Sequence, residues 1–242
     1  MKNTKLFCLN IFIGFIILSL VFTTKIFATD LFFDDFSNND LNQWTKVVGN
    51  IGITTTWVSN QGKLRSYVGR KGFAYLCANT NAVLNNYTFE ADVKNVSGVD
   101  QQYIFRSSVD KKNYYLVTYR YNDPFWPQDN NNVKLYKIFS GGFRLLGTYP
   151  SLLVPRSVNI TQNIDHKIKV VLNEKNIKVY FDESILIDEN DDDENIYLNG
   201  DLCLMTWGGD YSGVSENIFD NVKIKDNTIN KVIILPGLGA SW

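Results

Sequence analysis

The sequence predicts an all-β protein built as a two-sheet antiparallel β-sandwich. Three observations carry that expectation. Apolar and polar residues alternate with a period of two along most segments from Asp30 to Asp226, the pattern of strands with one buried face. Clusters of Asn, Asp, Gly and Pro recur at roughly 8–12-residue intervals, the turn spacing of a sandwich. The aromatic load is 16 Phe and 13 Tyr against 2 Met, which suits sheet better than a helical bundle.

The elements follow in order along the 242 residues. Lys2 and Lys5 precede an apolar run from Leu6 to Phe22, and Ile26-Phe27-Ala28 offers a small residue for cleavage. Residues 1–28 therefore read as a signal peptide and predict export, with membrane contact only through an uncleaved leader. Residues 30–226 form the sandwich. In YTFEADVKN, Tyr87, Phe89, Ala91 and Val93 share one face, while Thr88, Glu90, Asp92 and Lys94 share the other. YYLVTYRY and NVKLYKIF behave similarly, joined by NDPFWPQDNN, whose prolines and clustered Asn and Asp exclude regular structure. Ile168, Val170 and Leu172, then Ile177, Val179 and Phe181, flank the turn Asn173–Asn176 and predict a hairpin. The formal net charge of −1 gives no basis for nucleic-acid binding.

An exported chain keeps Cys77 and Cys203, both in apolar strands, YLCAN and LCLMTW. They either pair, closing a long loop worth roughly 4–5 kcal/mol in the chain-entropy description, or remain buried thiols. Sequence leaves both open.

A series of landmarks runs in order through residues 31–225: FFDDFSNNDLNQW, WVSNQGKLRS, YTFEADVKN, YIFRSSVDKKNYYLVTY, IKVVLNEKNIKVYFDE, GDLCLMTWGGD and IFDNVKIK. Together they resemble the concanavalin A-like, laminin G-like jelly roll, in particular the 3-keto-disaccharide hydrolase-like branch. The resemblance implies two packed antiparallel sheets with sugar bound on a concave face. It also implies a structural calcium between the first and last strands, where Asp34, Asp35 and Asp220 lie in the matching segments. Hard oxygen ligands there would pin the two chain ends together.

Glu90 and Asp92 resemble the start of the E-x-D-x-x-E strand of β-glucanases, but Asn95 stands where the second Glu belongs. Retaining hydrolysis needs both carboxylates at close range, so a polar surface is the simpler reading. His166 is the only histidine and is expected to be structural, since no nucleophile or metal-ligand spacing accompanies it. Asp188–Asn195 departs from a calcium loop at its sixth and twelfth positions, Asp193 and Asn199, and reads as a solvated acidic loop. Sugar recognition combines aromatic faces with a few polar groups. The expected ligand-binding set is Phe125, Trp126 and Trp207 as stacking rings, with Arg106, Asp123 and Asp210 for the hydroxyls.

Residues 227–242 are read as a linker and a strand, VIILPGLGAS, that resembles the opening of an α/β-hydrolase domain of the lipase or acyltransferase type. In that family the loop matching Gly237, Leu238 and Gly239 helps stabilise an oxyanion. No G-x-S-x-G elbow occurs in the 242 residues, so no catalytic residue is assigned. The sequence thus predicts an exported accessory module for oligosaccharide or cell-surface glycan, standing before a hydrolase domain. The alternatives are a glycoside hydrolase of the 3-keto-disaccharide type and a protein-binding adhesion module.

Overall fold

Alternation along the longest central strands sets the architecture, and a computed structural model shows how. It describes residues 29–48, 55–80, 82–121, 131–140, 142–149, 159–209 and 214–227. The described residues form fifteen strands: β1 (Asp30–Asp34), β2 (Trp44–Val48), β3 (Thr55–Asn60), β4 (Lys63–Val68), β5 (Phe73–Ala78), β6 (Tyr87–Ser97), β7 (Asp100–Ser107) and β8 (Tyr114–Arg120). They continue as β9 (Asn132–Phe139), β10 (Gly142–Tyr149), β11 (His166–Asn173), β12 (Asn176–Phe181), β13 (Ser184–Asn190), β14 (Asp201–Trp207) and β15 (Ser215–Asp226). No helix occurs among the described residues. The expected leader, residues 1–28, and the hydrolase-like tail with Gly237, Leu238 and Gly239 lie outside them.

The strands make two antiparallel sheets. The eight-stranded sheet runs β13-β12-β11-β6-β15-β4-β3, with β1 paired to β15. The seven-stranded sheet runs β10-β9-β8-β7-β14-β5-β2. On β6 the inward set is Tyr87, Phe89, Ala91, Val93 and Asn95, all buried, while Glu90, Asp92 and Lys94 face outward. The hairpin around Glu174-Lys175 forms as expected, pairing Asn173 with Asn176. At the β3–β4 turn Gln61 and Gly62 adopt φ of 54° and 67°, the left-handed pair that a two-residue hairpin needs and glycine supplies without strain.

Aromatic rings join the two sheets. Phe89 lies 5.4 Å from Tyr103 and Tyr103 lies 5.7 Å from Tyr119. Tyr119 in turn meets Phe181 at 5.7 Å, and Phe219 meets Tyr103 at 6.3 Å. This chain of tilted and edge-on contacts is where the abundant Phe and Tyr go. Beyond it lies a buried polar cluster. Asn95 donates to Asn217 at 2.7 Å, Asn217 donates to Thr206 at 3.1 Å, and Ser66 shares a hydroxyl contact with Thr206 at 2.6 Å. Such groups are tolerated inside because they satisfy one another.

The N-terminal landmark is a packing knot. Phe32 and Phe36 sandwich Trp44, whose indole N–H donates to Asp34 Oδ2 at 2.7 Å. The two remaining cysteines settle the open question of the sequence: Cys77 and Cys203 stand directly opposite on β5 and β14 and are disulfide-bonded, with Cα atoms 3.9 Å apart.

Candidate functional site

FAYLCA and LCLMTW are apolar at nearly every position, whereas a sheet with one solvated face should alternate. Their even-numbered residues, Ala74, Leu76 and Ala78 with Leu202 and Leu204, fill the core between the sheets. Their odd-numbered residues therefore line the outer face of the seven-stranded sheet. There they form a second apolar cluster, separate from the core, with Cys77, Cys203, Ile104 and Met205 as a buried floor. Phe73, Tyr75, Tyr114, Leu116 and Trp207 pack over that floor while remaining partly exposed. Trp207 pairs across strands with Phe73, and the Phe73 and Tyr75 rings are 5.3 Å apart. The aromatic surface continues outward with Tyr136 and Phe143, whose rings stand edge-on at 6.0 Å.

Polar groups bound this surface at both ends. Beside Trp207, Gln102 donates to Asp100 Oδ2 at 2.9 Å and the Arg120 guanidinium lies 3.6 Å from the same oxygen. Beyond the disulfide a cleft of 420 Å³ is lined by Thr45, Val47, Asn79, Thr80, Lys111 and Asp201, among others. Thr45 donates to Asn79 at 2.6 Å and Lys111 pairs with Asp201 at 2.5 Å. Burial pushes the Tyr75 phenol well above its ordinary value, helped by the neighbouring Tyr114 phenol. Both rings thus stay neutral across physiological pH. The face offers flat apolar rings flanked at the disulfide end by amide, hydroxyl and charged groups, while Asp100 and Gln102 at the Trp207 end are buried.

Of the residues the sequence selects for ligand contact, Trp207 lies on this face. Arg106 does not: it is 1 % exposed and turns inward. Its guanidinium donates to the carbonyls of Asn85, Glu174 and Tyr197 at 2.6–3.3 Å, holding three loops together. Asp123, Phe125, Trp126 and Asp210 lie outside the described residues. Sequence reading missed Phe73, Tyr75 and Tyr114, although the unbroken apolar runs of β5 and β14 are the signal that both their faces are covered.

The expected calcium ligands do not fit a cation site. Asp34 is buried and both of its oxygens are engaged, Oδ1 by the Phe36 N–H at 2.8 Å and Oδ2 by Trp44. Asp35 points outward and accepts from the Ser37 N–H at 3.0 Å. Asp220 lies 3.7 Å from Lys63, and burial, with the charges of Asp92 and Asp35, raises its carboxyl. Among the described residues no group of three His, Cys, Asp or Glu side chains is placed to hold a metal.

The carboxylates considered for hydrolysis sit on the opposite side of the sandwich, on the outer face of the eight-stranded sheet. Glu90 pairs with Lys225 at 2.6 Å, and Asp92 accepts from Asn221 at 2.8 Å. Asn95 faces inward and is fully buried, so a glutamate there would not join them. The nearby 380 Å³ cleft is lined by groups already partnered, including Lys94 with Asp165 at 3.0 Å and His166 hydrogen-bonded to Asp182 at 2.7 Å. His166 also packs on Phe181, with ring centroids 4.4 Å apart, which is a structural placement. The acidic loop is tied down rather than free: Asp188 pairs with Lys178 at 2.9 Å and Asp192 with Lys175 at 2.6 Å. Asp191 is buried against Lys137.

No family model matches the sequence, and no curated protein matches it. Solved structures do. A carbohydrate-binding module, CBM66, from Bacillus subtilis superposes with a TM-score of 0.56 at 21% identity, over 76% of this chain and 96% of that one. A Bacillus subtilis protein of unknown function with a galectin-like fold gives 0.62 at 10% identity, over 82% and 96%. The catalytic domain of an endo-1,3-β-glucanase from Thermotoga petrophila gives 0.58 at 14% identity, over 84% and 99%. At these identities the likeness is one of architecture, and the architecture is a galectin-like, concanavalin A-like jelly-roll sandwich.

Proposed function

We propose that this chain is a carbohydrate-binding module whose ligand lies on the outer face of the seven-stranded sheet. The observation that carries the reading is the partly exposed tier of Phe73, Tyr75, Tyr114 and Trp207 over a buried floor, with a polar cleft beyond the disulfide. Sugar rings present apolar C–H faces and hydroxyl edges, so flat aromatics beside amides and carboxylates match both. Solved structures with this architecture include a carbohydrate-binding module and glucanases, one of them in complex with laminaritriose and laminaritetraose. Those relationships support the class of ligand. The hydrolase alternative shares those neighbours but would need available carboxylates, whereas Glu90 and Asp92 are engaged with Lys225 and Asn221 on the other sheet.

Two finer elements complete the proposal. Export is supported by the leader pattern of residues 1–28 and by the Cys77–Cys203 bond, which persists in oxidising compartments. An accessory role beside a lipase-like domain rests on the VIILPGLGAS sequence alone. Electrophoresis of the full chain through gels containing neutral or acidic polysaccharides tests the binding reading. Retardation by at least one polysaccharide is expected, and unretarded migration through all of them would overturn it.

A further inference from the structure

Lys137 is a lysine buried inside the sandwich, with its side chain 3 % exposed. Its Nζ lies 2.7 Å from Oδ2 of Asp191, whose side chain is 0 % exposed. A second carboxylate, Asp193, approaches the same Nζ at 3.2 Å, and Arg144 holds that carboxylate from the outside. Tyr115 donates its hydroxyl to Asp191 Oδ2 at 2.6 Å. The Tyr197 ring lies 5.0 Å from Nζ and 5.3 Å from the Tyr115 ring, which closes the pocket with aromatic walls. Burying two opposite charges in such a pocket carries a desolvation penalty that their attraction only partly offsets.

We propose that Lys137 and Asp191 condense to an intramolecular isopeptide bond that staples β9 to the loop after β13. The arrangement supplies every component. Asp193, 3.2 Å from Nζ, carries one ammonium proton to Oδ1 of Asp191, which gives a neutral amine and a carboxylic acid protonated on Oδ1. The Nζ lone pair attacks Cγ of Asp191, and the negative charge that grows on Oδ2 is taken up by the Tyr115 hydroxyl. Asp193 accepts the proton released by the amine and delivers it to Oδ1, which leaves as water. Oδ1 accepts from the Asp193 backbone N–H at 3.2 Å, which keeps that residue beside the leaving oxygen. One C–N bond forms and one C–O bond breaks; one water departs, and no electrons are exchanged with any external reagent. The fold holds the reacting groups in contact, which replaces a bimolecular encounter by an effectively unimolecular step. The product amide carries no charge, so the desolvation penalty of the pair disappears.

The test is the intact mass of the purified full chain after reduction of the disulfide. The expected mass is one water below that calculated from the sequence. Tryptic digestion should then yield residues 135–144 joined to residues 179–223, uncut after Lys137. Lys137→Arg, which keeps the charge but cannot condense, should restore the full mass and the separate peptides. Asp193→Asn, at a partly exposed position, should leave the protein folded by circular dichroism with a larger uncondensed fraction. Full mass in the wild type, with residues 135–137 released as a linear peptide, would refute the bond. Complete condensation in Asp193→Asn would refute the proton-transfer role of Asp193.

Discussion

Removal of the Cys77–Cys203 bond is the perturbation whose size follows most directly from the structure. The two cysteines are separated by 126 positions, and a closed loop of that length constrains the unfolded chain strongly. The chain-entropy relation gives about 5 kcal/mol at room temperature for such a loop. In a domain of this size that corresponds to a fall in melting temperature on the order of 10–20 °C. Cys77→Ala and Cys203→Ala break the same link, so each single variant and the double variant should lose nearly the same amount. Cavity terms for the two small side chains add about 1 kcal/mol at most. Guanidinium unfolding of the four proteins, followed by Trp fluorescence, reads these differences. Losses below about 1 kcal/mol, or single-variant losses that add in the double variant, would refute the reasoning. Additivity would mean that the sulfur atoms act through local packing instead of through a shared loop.

Other consequences are smaller in scope. Arg106→Ala should destabilise by about 4 kcal/mol in denaturant melts, because three inward carbonyls lose a charged donor in a buried setting. Arg106→Lys, with one nitrogen in place of a fork, should recover only part of that loss. Asp188 is held below its ordinary value of 3.8 by hydrogen bonds from Asn176 and Lys178. A lowered folded value means that its contribution is complete above 3.8 and disappears as pH falls through the folded value. Asp188→Asn should therefore flatten the acid limb of a thermal-stability profile. Asp220 has the opposite sign: its folded value is raised by burial, so ionising it costs stability as pH rises through that range. Asp220→Asn should remove this cost, and an unchanged profile in either variant would count against the assignments.

The sheets were legible because alternation is a local property. YTFEADVKN and the Ile168–Phe181 hairpin state in sequence which side chains face inward, and both do so in the structure. Cross-strand partnership is not local, so the direct opposition of Cys77 and Cys203 could not be read from a chain in which 126 positions separate them. The same limit hid the role of Arg106. A lone arginine in a strand looks solvent-bound until the loops carrying Asn85, Glu174 and Tyr197 are seen to converge on it. The partner of Asp34 was hidden for a related reason, since its Oδ2 is taken by Trp44, ten positions away in the chain. The acidic run Asp188–Asn195 looked solvated because its cations come from elsewhere in the chain, Lys137, Lys175 and Lys178 among them. The aromatic face was visible in part. Trp207 was chosen for its strand-end position, but Tyr75 and Tyr114 join it only through sheet order.

Calorimetric titration of the full chain with the oligosaccharide best matched to the polysaccharide that retards it tests the central claim most directly, made on wild type, Trp207→Ala and Glu90→Gln. A stacked ring contributes about 1 kcal/mol beyond its buried area, so Trp207→Ala should weaken binding by roughly tenfold or more, while Glu90→Gln leaves it unchanged. Equal affinity in wild type and Trp207→Ala, or a loss confined to Glu90→Gln, would place the ligand on the other sheet and contradict the account.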